Sequence, residues 1–318
     1  MGFTSYLARR LLLLIPVVLG ATIVVFAVVH VIPGDPAWSA LGFWAGKTQV
    51  EEWRKLMRLD EPIYMQYLHW LGDLLRGDLG RSFFTYRPVA EELARRGPIT
   101  GELSIVALAI GMVLGIPAGM ISAVRKDSAY DKVSRFAAVA GFSVPEYFLG
   151  MMLMLLFGVY LRILPPGGFV AFQESPADNL KLLVLPALAL GLPIAAVYSR
   201  FTRSGMLDIL DQDYIRTARA KGLTERLVIY RHALKNALIP IVTIIGMNIG
   251  YLMSGAVLIE TIFGWPGIGA YLYNGILSRD YPIIQGAVLV IAIVFVLSNL
   301  IVDLAYAFLD PRIRFGRE

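Results

Sequence analysis

The feature that most limits this chain is a series of apolar runs. Each is about twenty residues long, enough to cross a bilayer as a helix. They lie at 11–32, 101–124, 136–163, 181–198, 237–259 and 283–308. The runs are continuous rather than alternating, so the backbone must satisfy itself within helices and not across the strands of a barrel. With 57% of residues hydrophobic and 17% charged, a soluble globular domain is excluded. The expected fold is all-α, a polytopic membrane protein of six transmembrane helices. There are no cysteines, which removes disulfides, thiolate metal sites and cysteine nucleophiles.

Three regions follow from this pattern. Residues 1–35 form an N-terminal anchor helix, 36–100 an outer helical loop, and 101–318 the core, which carries a polar stretch at 199–236. The first run follows Arg9 and Arg10 and lacks the small-x-small pattern of a cleaved leader, so it reads as an anchor. It ends at I-P-G-D-P, where proline removes amide donors. Six passes put both termini on one side. Short loops on that side hold Arg125, Lys126, Lys132, Arg135 and the basic residues of 200–235, whereas the short opposite loops carry Arg162, Lys181 and Arg279. Cytoplasmic loops are the basic ones, so both ends are expected inside a bacterial inner membrane.

The outer loop balances its acids and bases. Two segments in it, K-T-Q-V-E-E-W-R-K-L-M and Y-M-Q-Y-L-H-W-L-G-D-L-L, have helical amphipathic spacing. Trp53, Trp70, Phe83, Phe84 and Tyr86 suit a segment lying at the outer membrane interface. This region reads either as a dock for an external protein or as a lid without a binding role.

In the core, Gly111, Gly115 and Gly119 recur every fourth residue, a spacing that lets another helix approach closely. Pro117 should kink the same helix. Glu146 follows Pro145 inside an apolar run. It is either a pathway or gate group facing a cavity or partner, or an acid in the first turn of a helix restarting after the proline. Asn248 and Ser254 are the polar members of the fifth run and join Glu146 as candidate pathway residues. Outer turns are expected at L-P-P-G-G-F and F-G-W-P-G-I-G.

The stretch 199–236 has an internal design. Asp213 can cap a helix over 214–221, Gly222 can end it in the left-handed conformation, and Thr224 can cap a second helix with Glu225 in its first turn. Thr217, Ala218, Ala220 and Gly222 make one side small. A plain surface hairpin and a DNA-reading helix-turn-helix share this outline. The second is awkward because both ends run into apolar spans.

The polar stretch resembles the cytoplasmic "EAA" loop of ABC-importer membrane subunits. That loop follows the pattern Glu-Ala-Ala, three residues, Gly, nine residues, Ile-x-Leu-Pro. Here Arg216, Thr217 and Ala218 stand first, Gly222 is kept, and His232, Leu234 and Lys235 occupy the later positions. The wording Y-I-R-T-A-R-A-K-G-L with R-H-A-L-K-N-A-L-I-P is similar to the variant in the dipeptide/oligopeptide/nickel permeases. So are R-R-L-L-L-L-I-P, Q-Y-L-H-W-L-G-D-L-L-R-G-D-L-G-R-S-F, F-G-W-P-G-I-G and V-D-L-A-Y-A-F-L-D-P-R-I-R, in order along the whole chain. One departure is Arg58, where that family usually has Gly.

The resemblance implies a type I importer permease, the member with the long outer loop. It implies a heterodimer with a homologous permease, two ATP-binding subunits inside and a solute-binding protein outside. It implies that Arg216, Thr217, Ala218, Ala220, Lys221, Gly222, Leu223 and His232 meet an ATPase subunit. ATP and magnesium would sit on those subunits, with no cofactor in this chain, no metal site and no catalytic residue. The cargo would be a di- or oligopeptide, alternatively nickel or a glutathione-like solute. No Gly-x-x-x-x-Gly-Lys-Ser/Thr loop occurs, so this chain is not expected to hydrolyse ATP or to act as an enzyme. A secondary transporter or channel is the rival class and would need ionisable partners at the bilayer midplane.

Overall fold

A computed structural model describes residues 3–31, 35–42 and 44–309. The I-P-G part of I-P-G-D-P and the tail after 309 lie outside the described residues, as do the side chains of Arg9, Ser254 and Asp303. The chain is all-α among the described residues, apart from one isolated antiparallel bridge between Arg81 and Pro88.

Helix α1 (Phe3–Val31) is the anchor. The outer region holds α2 (Pro36–Leu41), α3 (Lys47–Leu56) and α4 (Ile63–Leu75). Both amphipathic segments are therefore helices. Helix α5 (Val89–Val124) starts at Val89 and not at Gly101, so its first turns project beyond the apolar run. Pro98 and Pro117 lie inside α5 without ending it.

The third apolar run is not one straight helix. It comprises α6 (Ala129–Ser143) and α7 (Glu146–Leu153), continued as a π-helix to Tyr160, with a 101° bend between the two arms. Pro145 precedes the first residue of α7, and Glu146 lies in its first turn. That is the helix-restart reading. Ser128 Oγ caps α6 by accepting from the Asp131 amide, so helix replaces most of the expected 125–135 loop.

Helix α8 (Pro176–Leu210) runs through Pro186 and Pro193 and past Tyr198. The polar stretch from Ser199 therefore begins as a continuation of the fourth span. After it come α9 (Asp213–Ala220), the short α10 (Glu225–Leu227), a π-helical turn over Val228–Leu234, α11 (Lys235–Ala237) and α12 (Ile239–Phe263). Helix α13 (Ile268–Ser278) is a short outer helix that the apolar pattern did not announce, and α14 (Tyr281–Leu309) is the last span. Among the described residues four helices are long and apolar enough to cross a membrane, and the number rises to six when each of the two bent pairs is taken as one span.

Close packing centres on α5 against α8. A Cβ on Gly115 would lie 2.5 Å from the Ala195 carbonyl oxygen and 2.8 Å from Tyr198 Cβ. Gly111 faces Ile194 and Tyr198, and Gly119 faces Ser199 and Thr202. All three glycines of the stripe thus meet α8. Gly191 returns the relation from α8, facing Ile110 and the Ala107 carbonyl.

The outer helices α2 and α3 rest on α13 and α14, while α4 packs on α1 through Tyr67 and Trp70 against Phe26. Trp53 and Phe83 are buried edge-to-face at 4.9 Å between ring centroids, in a cluster with Tyr281 and Ile284. These two aromatics fill a core instead of lying at the membrane interface, because the outer helices fold onto the bundle. Arg58 adopts φ 57°, the left-handed geometry that glycine would take without strain. The turn survives the departure.

Candidate functional site

The polar stretch forms a hairpin at one end of the bundle. Its underside is apolar. Ile215 and Ala218 of α9 are buried with Met120 and Ala123 of α5, Met206 of α8, and Val228, Ala233 and Ala237 on the return limb. This burial is what fixes the hairpin to the spans. Its outer side is polar: Arg216, Thr217, Ala220, Lys221 and Gly222 are exposed, while Leu223 and His232 are partly buried.

The caps differ in detail from the sequence expectation. Gln212 occupies the cap position of α9, and Asp213 is its first residue, accepting a hydrogen bond from Arg216 Nη1 at 3.3 Å. Thr217 Oγ1 donates to the Asp213 carbonyl at 2.9 Å. Gly222 does take a left-handed φ of 75°, and a Cβ there would meet nothing within 4 Å. Thr224 stands at the cap position of α10 without a side-chain bond. Glu225 instead binds Arg219 across the turn, accepting from Nη2 at 2.7 Å and from Nε at 3.1 Å. This hydrogen bond raises the Arg219 guanidinium pKa further above its already high value. The pair staples the two limbs around Gly222. At the far end, Asn236 Nδ2 donates to Tyr214 Oη at 3.0 Å.

The second feature is a cavity of about 470 Å³ at the α6–α7 bend, lined by Glu146, Tyr147, Pro193, Val197, Asn248 and Tyr251 among others. The bend turns Glu146 toward α12, where the Tyr251 hydroxyl donates to Glu146 Oε2 at 3.0 Å. Asn248 Nδ2 donates to the buried Tyr198 Oη at 3.1 Å. Glu146 and Asn248, from different spans, are thus brought to one opening. The Ser254 side chain lies outside the described residues.

The polar clusters that escaped sequence reasoning include the following three. At the hairpin end, Asp131 is fully buried. It accepts from Arg203 Nε at 2.7 Å and Nη2 at 2.9 Å, from Ser122 Oγ at 2.5 Å and from the Asp127 amide at 3.0 Å. At the outer end, fully buried Glu260 accepts from Thr100 Oγ1 at 2.6 Å and the Ala270 amide at 2.9 Å, and Thr100 in turn accepts from the Ile268 amide at 2.8 Å. Nearby, Glu92 is held by Arg87, Arg95 and Arg96, and Arg96 lies 4.7 Å over the Tyr271 ring. The signal available in sequence was an acid next to an apolar run. That signal does not say which distant partner neutralises it.

A six-pass helical bundle with a solvent-facing helix–glycine–helix hairpin at one end and a polar-lined opening within its spans defines a membrane-embedded transport subunit. Two family models match. One, "binding-protein-dependent transport system inner membrane component", covers residues 115–315, and its N-terminal companion covers residues 3–104. The dipeptide transport system permease protein DppB of Alkalihalophilus pseudofirmus is 42% identical, with 98% of this chain and 99% of that one aligned. The glutathione transport system permease protein GsiC is 42% identical in Pectobacterium atrosepticum and 41% in Escherichia coli K12, with the same coverage. Among solved structures, an inward-facing form of the MetNI methionine ABC transporter superposes with a TM-score of 0.57 at 18% identity, over 69% of this chain and 96% of that one. The chain belongs to the ABC-importer permeases of the dipeptide/oligopeptide family, inner-membrane components of binding-protein-dependent transport systems.

Proposed function

We propose that this permease forms half of the pathway of an ATP-driven importer of di- and oligopeptides. The observation that carries the reading is the hairpin, with its apolar side consumed by the bundle and its polar side, centred on Gly222, left open. The other half would be a homologous permease. Two ATP-binding subunits would hold ATP and magnesium on the cytoplasmic side and dock on Arg216, Thr217, Lys221 and Gly222. A solute-binding protein would deliver cargo from outside. This chain would contribute no catalytic group and no cofactor.

Short peptides fit the names of the relatives, one a dipeptide system and the other a glutathione system. The Glu146–Asn248 opening is the candidate stretch of path. Its acid is paired with a neutral tyrosine hydroxyl, which does not supply the coupled ionisable pair that a proton-driven carrier would want.

The test is reconstitution of the full complex with labelled dipeptide, tripeptide and glutathione. The expected result is uptake that needs both ATP and the binding protein. Gly222→Trp separates docking from folding, since a Cβ there meets nothing within 4 Å, the residue is exposed, and the cost within this chain is the strain of a positive φ. It should lower uptake about tenfold or more, within the usual range of inter-site coupling, while the protein still reaches the membrane; Gly222→Asn should retain most activity. Uptake by the isolated chain without ATPase subunits would overturn the proposal.

A further inference from the structure

We propose that Asp131 and Arg203 form a clamp that transmits displacement of the cytoplasmic hairpin to α6, and through α6 to the Glu146 opening. Both are positioning residues. The inference rests on the coupling role proposed above and deepens it.

Three observations carry it. Asp131 is the one fully buried side chain on α6, whose fifteen residues otherwise lie partly or wholly exposed. Phe136 is 76% exposed and Phe142 71%. Secondly, beyond its first turn α6 lies along α8 through small groups, Ser134 beside Ser199 and Gly141 beside Ala196, and the seam is loosely filled. A cavity of about 450 Å³ lies beneath it, lined by small and apolar groups including Gly115, Ala118, Ala137, Gly141 and Ala196. The charged, directional attachment to α8 is therefore at its first turn.

Thirdly, the clamp gathers the elements that hold the hairpin. Arg203 lies on α8, which is joined to α9 by only Asp211 and Gln212. Ser122, which donates to Asp131, sits on α5 between Met120 and Ala123, two residues that bury the hairpin's underside. A carboxylate out of water with a bidentate guanidinium is strongly directional. Removing Asp131 would leave the largely buried Arg203 without its carboxylate, and removing Arg203 would leave Asp131, among charged partners, only the longer contact to Arg135 Nε at 3.7 Å. Motion of the hairpin carries α8, α8 carries Arg203, and Arg203 holds the start of α6. At the other end of α6, the chain turns through Val144 and Pro145, both of which line the opening beside Glu146.

The chain has no cysteine, and Ser134 Oγ of α6 lies 3.5 Å from Ser199 Oγ of α8. That permits a covalent substitute for the clamp. The experiment uses the full complex in proteoliposomes and reads ATP hydrolysed per dipeptide imported. Asp131→Asn should raise that ratio about tenfold, a typical magnitude for lost coupling between sites, while the ATPase subunits still co-purify. Adding Ser134→Cys and Ser199→Cys to Asp131→Asn should return the ratio toward wild type when oxidised and lose it again on reduction.

An Asp131→Asn complex with an unchanged ratio would overturn the proposal. So would a variant whose loss, in coupling or in assembly, the formed disulfide does not reverse; the pair would then serve folding alone. Failure of the disulfide to form would deny the placement of α6 beside α8 and overturn it equally. A wild-type complex that shows no ATP-dependent dipeptide uptake would instead remove the proposed function, and the two failures are told apart by that control.

Discussion

Glycine positions in this chain carry information that residue type alone does not. Gly101 and Gly115 both lie on α5, yet a Cβ on Gly101 meets nothing within 4 Å, whereas one on Gly115 meets the α8 backbone. Backbone cannot swing aside as a flexible side chain can. Gly115→Leu should therefore destabilise the folded bundle by about 3 kcal/mol through overpacking. Gly101→Leu should fall within about 0.5 kcal/mol of wild type, as uncrowded substitutions do. Thermal melts of both variants in one detergent would check the contrast. Arg58 poses the opposite case: an L-residue held at φ 57° with its side chain exposed. Relief of left-handed strain is worth about 1 kcal/mol, so Arg58→Gly should raise the melting temperature, and Arg58→Ala should not. Here sequence and structure agree in an informative way. The resemblance marked residue 58 as a departure, and the backbone shows why glycine is the easier occupant.

At the scale of elements, the buried acids decide which helices move together. Glu260 receives Thr100 of α5 and the Ala270 amide of α13, and Gly267 and Gly269 leave the room that its carboxylate fills. Glu260→Ala would leave these buried donors unpaired at about 1–3 kcal/mol each. The expected outcome is a lower melting temperature and earlier proteolysis around residues 264–280, with Glu260→Gln intermediate because its amide oxygen can still accept. Proteolysis that begins elsewhere would count against this placement. Much of the element layout was legible, because apolar runs and helical periodicity are local signals. The amphipathic segments became α3 and α4, and the glycine stripe met a neighbouring helix. Three things were not legible. The 101° turn at 143–145 depends on what α7 packs against. The early start of α5 depends on Glu92 finding three arginines. The burial of Trp53 and Phe83 depends on the outer helices folding back on α14. The first and third are long-range contacts, which local periodicity does not encode, and the second is a charge cluster outside the apolar run that marks the span.

At the scale of the whole molecule, the hairpin and the outer helices lie at different ends of the spans, and the basic short loops share the hairpin's end. This predicts a simple sidedness. In a chain without native cysteine, Thr217→Cys should react with an impermeant maleimide only from the cytoplasmic side, and Glu174→Cys only from outside. Both side chains are exposed in this chain, so in the permease expressed without its ATPase subunits a negative result reports on side and not on burial. Labelling of Thr217→Cys in intact cells would reverse the orientation and detach the hairpin from any nucleotide-binding partner. The family was readable from the primary structure because its motifs run the length of the chain. The path was not, since Glu146 and Asn248 lie on separate spans and meet only once α7 has turned.

That turn has a mechanical meaning. Helix α6 has 15 residues, and α7 with its π-helical extension has 8 and 7 more. At about 1.5 Å per residue for α-helix, the two limbs of the angle are of similar length, meeting at nearly a right angle. On the proposed coupling, such a part would behave as a bell crank. A thrust along one limb emerges as a sideways sweep of the other with little gain or loss of travel. A small stroke delivered along α6 would thereby widen or narrow the opening beside Glu146, without any span having to slide along its own length.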